Sequence, residues 1–108
     1  MSRDKVYLLD ILEAARLAVG YVSGKSLEQF LGDTQCQDAV IRRLGVIGEA
    51  ARRISSETKA AFSNVPWDAM TGMRNMTIHE HDDVDLGVVW DSVQKDLPRL
   101  VAELQKLT

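Results

Sequence analysis

Apolar side chains recur at three- and four-residue intervals along most of this 108-residue chain, and no stretch sustains the two-residue alternation of a half-buried strand. That spacing stacks apolar groups on one face of an α-helix, so the expected class is all-α, an antiparallel helical bundle. A first helix is predicted from about Asp4 to Val22 on Leu8, Ile11, Leu12, Ala15, Val19 and Val22, with Gly24 as a left-handed stop. Ser26 and Gln29 form a capping-box pattern for a short helical turn through Phe30, which Gly32 ends. A second long helix begins at Asp33 or Thr34, where Thr34 and Gln37 repeat the capping pattern. Cys36, Val40, Leu44, Ile47, Ala51 and Ile54 fall within roughly 80° of one another on it, a narrow buried stripe. Gly45 and Gly48 cost this helix about 1 kcal/mol each against Ala, so another backbone is expected close by. After a loop near Asn64, Pro66 suits the first position of a third helix, which carries Trp67, Met70 and Met73 toward Arg74 and His79. Asp85 caps a fourth, in which Leu86, Val89, Trp90, Val93, Leu97, Leu100, Val101 and Leu104 keep the helical period. Pro98 should interrupt that helix and kink it near Lys95 without ending it.

The length suits one domain, residues 1–108, with a core of its own. No apolar run approaches a membrane span, and the opening MSRDKVYLLD places charges where a signal peptide needs an apolar stretch. The lone cysteine, Cys36, cannot form an intrachain disulfide, which fits a reducing cytoplasm. The net charge of −3 hides a segregation: residues 1–79 carry 10 basic and 9 acidic groups, residues 80–108 carry 3 and 7. An anionic substrate is neither proposed nor excluded by that balance; local geometry decides.

The segment from Gly72 to Asp85 concentrates an arginine, both histidines of the chain, an amide and an acidic run between two helices. Arg74 and His79 project about 140° apart on a regular helix. Their convergence needs the reach of Arg, a distorted turn, or a second copy of the chain across a two-fold axis. An imidazole exchanges protons near neutral pH and a guanidinium forks onto phosphate oxygens. Together they suffice for RNA cleavage without a metal: His79 would deprotonate the ribose 2′-OH, and Arg74 would hold the scissile phosphate. Asn75 would orient the phosphate or a catalytic side chain. The competing reading is a histidine at a helix end and a surface arginine paired with Glu or Asp. A second possibility is a metal cluster of His79, His81 and Asp83, although the two histidines point about 200° apart on a helix. Arg42, Arg43, Arg52 and Arg53 offer a track for phosphates, but Glu49 stands three and four residues before Arg52 and Arg53, so a solvated face with intrahelical pairs is expected. Trp67, Trp90, Met70 and Met73 read as packing.

The ordered set IGEAA at 47–51, Pro66-Trp67, Met73-Arg74-Asn75 followed by His79, and Asp96-Leu97-Pro98 resembles the HepT-like branch of the HEPN superfamily over nearly the whole chain. The resemblance implies a bundle of four to five helices that forms a homodimer through the motif helices. It also implies a cofactor-free, metal-independent endoribonuclease whose Arg-x4-His motif maps onto Arg74 and His79, with Asn75 as the polar residue after the arginine. Such proteins are toxins of type VII-like toxin–antitoxin pairs, and their partner is a small nucleotidyltransferase antitoxin that adenylylates a tyrosine two residues after the motif histidine. Here that position is His81. A phenol is a sound acceptor for AMP, whereas an imidazole gives a labile phosphoramidate, so the nuclease roles carry over and the modification does not. His81 is left to position RNA. The reading from another class is a non-catalytic helical partner, or nucleotide-binding subunit, of a nucleotidyltransferase.

Overall fold

The computed structural model describes residues 2–74 and 85–107, and every regular element among them is helical. Helix α1 spans Ser2–Val22, α2 Leu27–Leu31, α3 Thr34–Arg53, α4 Ser56–Ala61, α5 Trp67–Gly72, α6 Leu86–Asp91 and α7 Leu97–Leu104. A π-helical stretch, Ser92–Asp96, joins α6 to α7, and a 3₁₀ turn, Gln105–Leu107, follows.

Helices α1 and α3 form the spine. They run antiparallel: Asp4 at the start of α1 accepts from Ser55 just beyond α3, and the Cys36 thiol in the first turn of α3 lies 3.6 Å from the Tyr21 carbonyl near the end of α1. The stripe expected on α3 is buried throughout, Cys36 to Ile54, and meets Leu8, Ile11, Leu12, Ala15, Ala18 and Val22 of α1. Helix α7 closes the core with Leu97, Leu100 and Leu104, all fully buried. Phe30 of α2 packs on Trp90 of α6, ring centroids 5.4 Å apart. No helix among the described residues is long and apolar enough to cross a membrane.

Most helix ends follow the expected chemistry. Gly24 holds φ +78° after α1, a conformation that costs glycine little. Ser26 and Gln29 form the reciprocal capping box of α2. Asp85 accepts from the Gly87 and Val88 N–H groups to cap α6. Three details differ. Asp33, not Thr34, caps α3 by accepting from the Cys36 N–H, and Gln37 turns back to donate to the Phe30 and Leu31 carbonyls. Helix α4 lies where the sequence reads as loop: with six residues it is too short for a periodic signal, and it stands on capping by Ser55, whose hydroxyl accepts from the Thr58 N–H. The interruption at Pro98 takes the form of the π stretch, in which the Leu97 N–H donates to the Ser92 carbonyl, one residue further back than in an α-helix. The chain continues helical through it, as expected.

Candidate functional site

The site is approached from α5. Pro66 precedes its first turn, where a missing N–H goes unused, and the Trp67 indole donates to the Lys59 and Phe62 carbonyls, fixing the entry. Met70 and Met73 are both fully buried against the core, so the residue that follows them, Arg74, is delivered onto α3. Its N–H donates to the Thr71 carbonyl at 3.3 Å.

The landing point is Gly48. A Cβ on Gly48 would lie 2.9 Å from both Cα and Cβ of Arg74 and closer still to its backbone nitrogen. Only a residue without a side chain lets this backbone pass, which explains one of the two glycines tolerated inside α3.

The next residue of α3 receives the Arg74 side chain. Glu49 Oε2 accepts from Arg74 Nε at 2.6 Å, while its Oε1 accepts from the Nη2 groups of Arg52 and Arg53 at 3.3 Å each. Partial burial pushes the Glu49 carboxyl up, but the hydrogen bond and charge of Arg74, with Arg52 adding, outweigh it and hold the group below its ordinary range. A short charge-assisted bond at Nε fixes the plane of the guanidinium. The Arg74 side chain is 36% exposed, so a ligand in solvent can meet it.

The intrahelical pairs expected of Glu49 with Arg52 and Arg53 are present. So is the acidic partner offered as the alternative reading of Arg74. What sequence reasoning missed is that the two share one carboxylate. The residues are 25 apart, and the signal that could have joined them was the glycine beside Glu49. Arg42 is exposed, whereas Arg43 Nε is buried without a hydrogen-bond partner among the described residues. Trp67 and Trp90 are half-buried against the core, as packing requires. Asn75, His79, His81 and Asp83, and with them the proposed Arg–His pair and the alternative metal cluster, lie outside the described residues.

A family model described as Ribonuclease HepT-like matches residues 11–107. The chain belongs to this family. The HepT-like chain is 40% identical over 103 residues to a protein of Thermococcus cleftensis named as a probable ribonuclease HepT, covering 95% of this chain and 94% of that one. It is 36% identical over 105 residues to a candidate RNase of Methanocaldococcus jannaschii, covering 96% of each. A third relative, from the same archaeon and named as a gamma-glutamylcyclotransferase and candidate RNase, is 38% identical over 108 residues, and this chain spans 49% of its length. No solved structure gives a significant match.

Proposed function

We propose that this HepT-like protein is a homodimeric, metal-independent endoribonuclease, the toxin of a type VII-like toxin–antitoxin pair whose antitoxin is a small nucleotidyltransferase. The observation that supports it most directly is Arg74: the arginine at the motif position is half-exposed, and its guanidinium plane is set by Glu49. The relatives' ribonuclease names point the same way.

In the proposed reaction His79 takes the proton of a ribose 2′-OH, and the oxygen attacks the adjacent phosphorus. The 5′ oxygen leaves with a proton from water or from the imidazole of the second copy, giving a 2′,3′-cyclic phosphate and a 5′-hydroxyl end. Arg74 neutralises the charge that builds on the phosphoryl oxygens. Asn75 orients the phosphate, and His81 positions the strand. The two-fold assembly lets an Arg and a His that diverge by about 140° on a helix act on one phosphate.

The test is cleavage of RNA by purified protein in EDTA. Activity that survives chelation and falls by on the order of 10²–10⁴ in each of Arg74→Ala and His79→Ala supports the assignment. Unchanged cleavage in His79→Ala overturns it. Light scattering should give twice the chain mass of 12.0 kDa; a monomer at micromolar concentration removes the two-fold site.

His81, standing where the family pattern has tyrosine, favours a second reading: a non-catalytic partner of a nucleotidyltransferase. Protein that is inert toward RNA, harmless on expression and recovered in a stable complex with the nucleotidyltransferase selects that reading instead.

A further inference from the structure

Glu49 is one carboxylate serving three guanidiniums. Resting on the ribonuclease reading above, we propose that Arg52 and Arg53 form a second phosphate subsite, which holds the RNA backbone beside the phosphate taken by Arg74.

The charge count is the first reason. Among the described residues, Arg52 and Arg53 share one oxygen of a carboxylate whose other oxygen is engaged by Arg74, on a chain whose net charge is −3. Spacing is the second. Arg52 and Arg53 meet one oxygen of the carboxylate at 3.3 Å and Arg74 meets the other at 2.6 Å, so the motif arginine and the α3 pair flank a single group. Neighbouring phosphates of one strand can therefore take the motif arginine and the α3 pair together.

Availability is the third. The Arg52 and Arg53 side chains are 51% and 56% exposed, and each gives Glu49 only an Nη2 contact out of the five N–H donors of its fork. Ion pairs this exposed contribute little, so exchanging part of them for phosphate costs little. The Arg53 guanidinium is charged at any ordinary pH. Cations in the last turn of a helix complement its dipole, which accounts for Arg52 and Arg53 at the end of α3. It does not account for Arg74, brought to the same carboxylate from a different element.

The test uses full-length protein and a single-stranded oligonucleotide made uncleavable by 2′-deoxy substitution, with binding read by anisotropy across about 50 to 200 mM salt. Arg52→Gln/Arg53→Gln is compared with Arg16→Gln/Lys106→Gln, which removes the same charge from exposed positions elsewhere. The subsite variant should weaken binding and reduce the slope of log K against log salt by about 1.4, two contacts at about 0.7 each. On cleavable RNA its KM should rise with kcat retained. Slope and KM equal to those of the control variant overturn the subsite. If the wild type cleaves and Arg74→Ala and His79→Ala do not, that failure belongs to the subsite alone; a wild type that neither binds nor cleaves RNA overturns both readings.

Discussion

Gly48 and Glu49 place Arg74 by opposite means, one by lacking a side chain and the other by supplying a carboxylate. Alanine for glycine inside a helix ordinarily stabilises by about 1 kcal/mol. At position 48 the added methyl would meet backbone rather than a yielding side-chain tip, and overpacking of that kind costs about 1–3 kcal/mol. Gly48→Ala should therefore lower the urea midpoint instead of raising it and, on the proposed ribonuclease reading, cut cleavage beyond what the stability loss explains; a raised midpoint would mean that α3 and Arg74 do not approach as described. Glu49→Gln keeps the size of the side chain and removes its charge. On the same reading, Arg74 loses its fixed plane while the proposed RNA path gains positive charge, so kcat should drop by on the order of 10² with KM unchanged or lower. A rise in KM alone would make Glu49 a binding residue only. The sequence made half of this legible. A glycine in an otherwise regular helix marks a close approach, but which backbone approaches is a matter of tertiary contact, and no local pattern encodes a partner 25 residues away.

At the level of elements, the long helices were readable because each buries a periodic stripe, and their ends because capping is a short-range exchange of named donors and acceptors. Helix α4 escaped since its stability comes from outside its own six residues. The Ser55 and Thr58 hydroxyls both donate to Asp4 Oδ2 at 2.6 Å, which ties the start of α4 to the start of α1 across 51 and 54 residues. Thr58 is buried in doing so. Ser55→Ala removes the α4 cap together with one strand of that tie, and should cost about 1 kcal/mol in equilibrium unfolding. A neutral result would show that α4 is held by packing alone. The Pro98 interruption was legible in position, since a missing N–H must fall there, and not in form. A kink and a π stretch both leave the helix running; here Val93 within the stretch and Leu97 just after it are both buried.

At the scale of the molecule, three carboxylates among the described residues join separate pieces of the bundle, and all three are held below their ordinary pKa. Hydrogen bonds from Ser55 and Thr58 lower Asp4, the Cys36 N–H and Lys25 lower Asp33, and Arg74 and Arg52 lower Glu49 against the opposing pull of partial burial. A group depressed in the folded state binds its proton more readily once unfolded. Its contribution is complete above the ordinary values, 4.5 for Glu49 and 3.8 for Asp4 and Asp33, and is lost as pH falls through the lower folded values. Stability from these three groups should therefore be flat between pH 7 and about pH 5 and decline below it. The check is a set of urea midpoints from pH 7 to pH 3 on the wild type and on Asp4→Asn/Asp33→Asn/Glu49→Gln. Asparagine still caps a helix, so the triple variant keeps the α3 cap and loses only the titrating charge at that site. Its stability should start lower at pH 7 and fall less steeply below pH 4.5 than that of the wild type. Parallel curves for the two proteins would place the acid sensitivity of the bundle on other carboxylates, and would remove charge on Asp4, Asp33 and Glu49 from what holds the helices together.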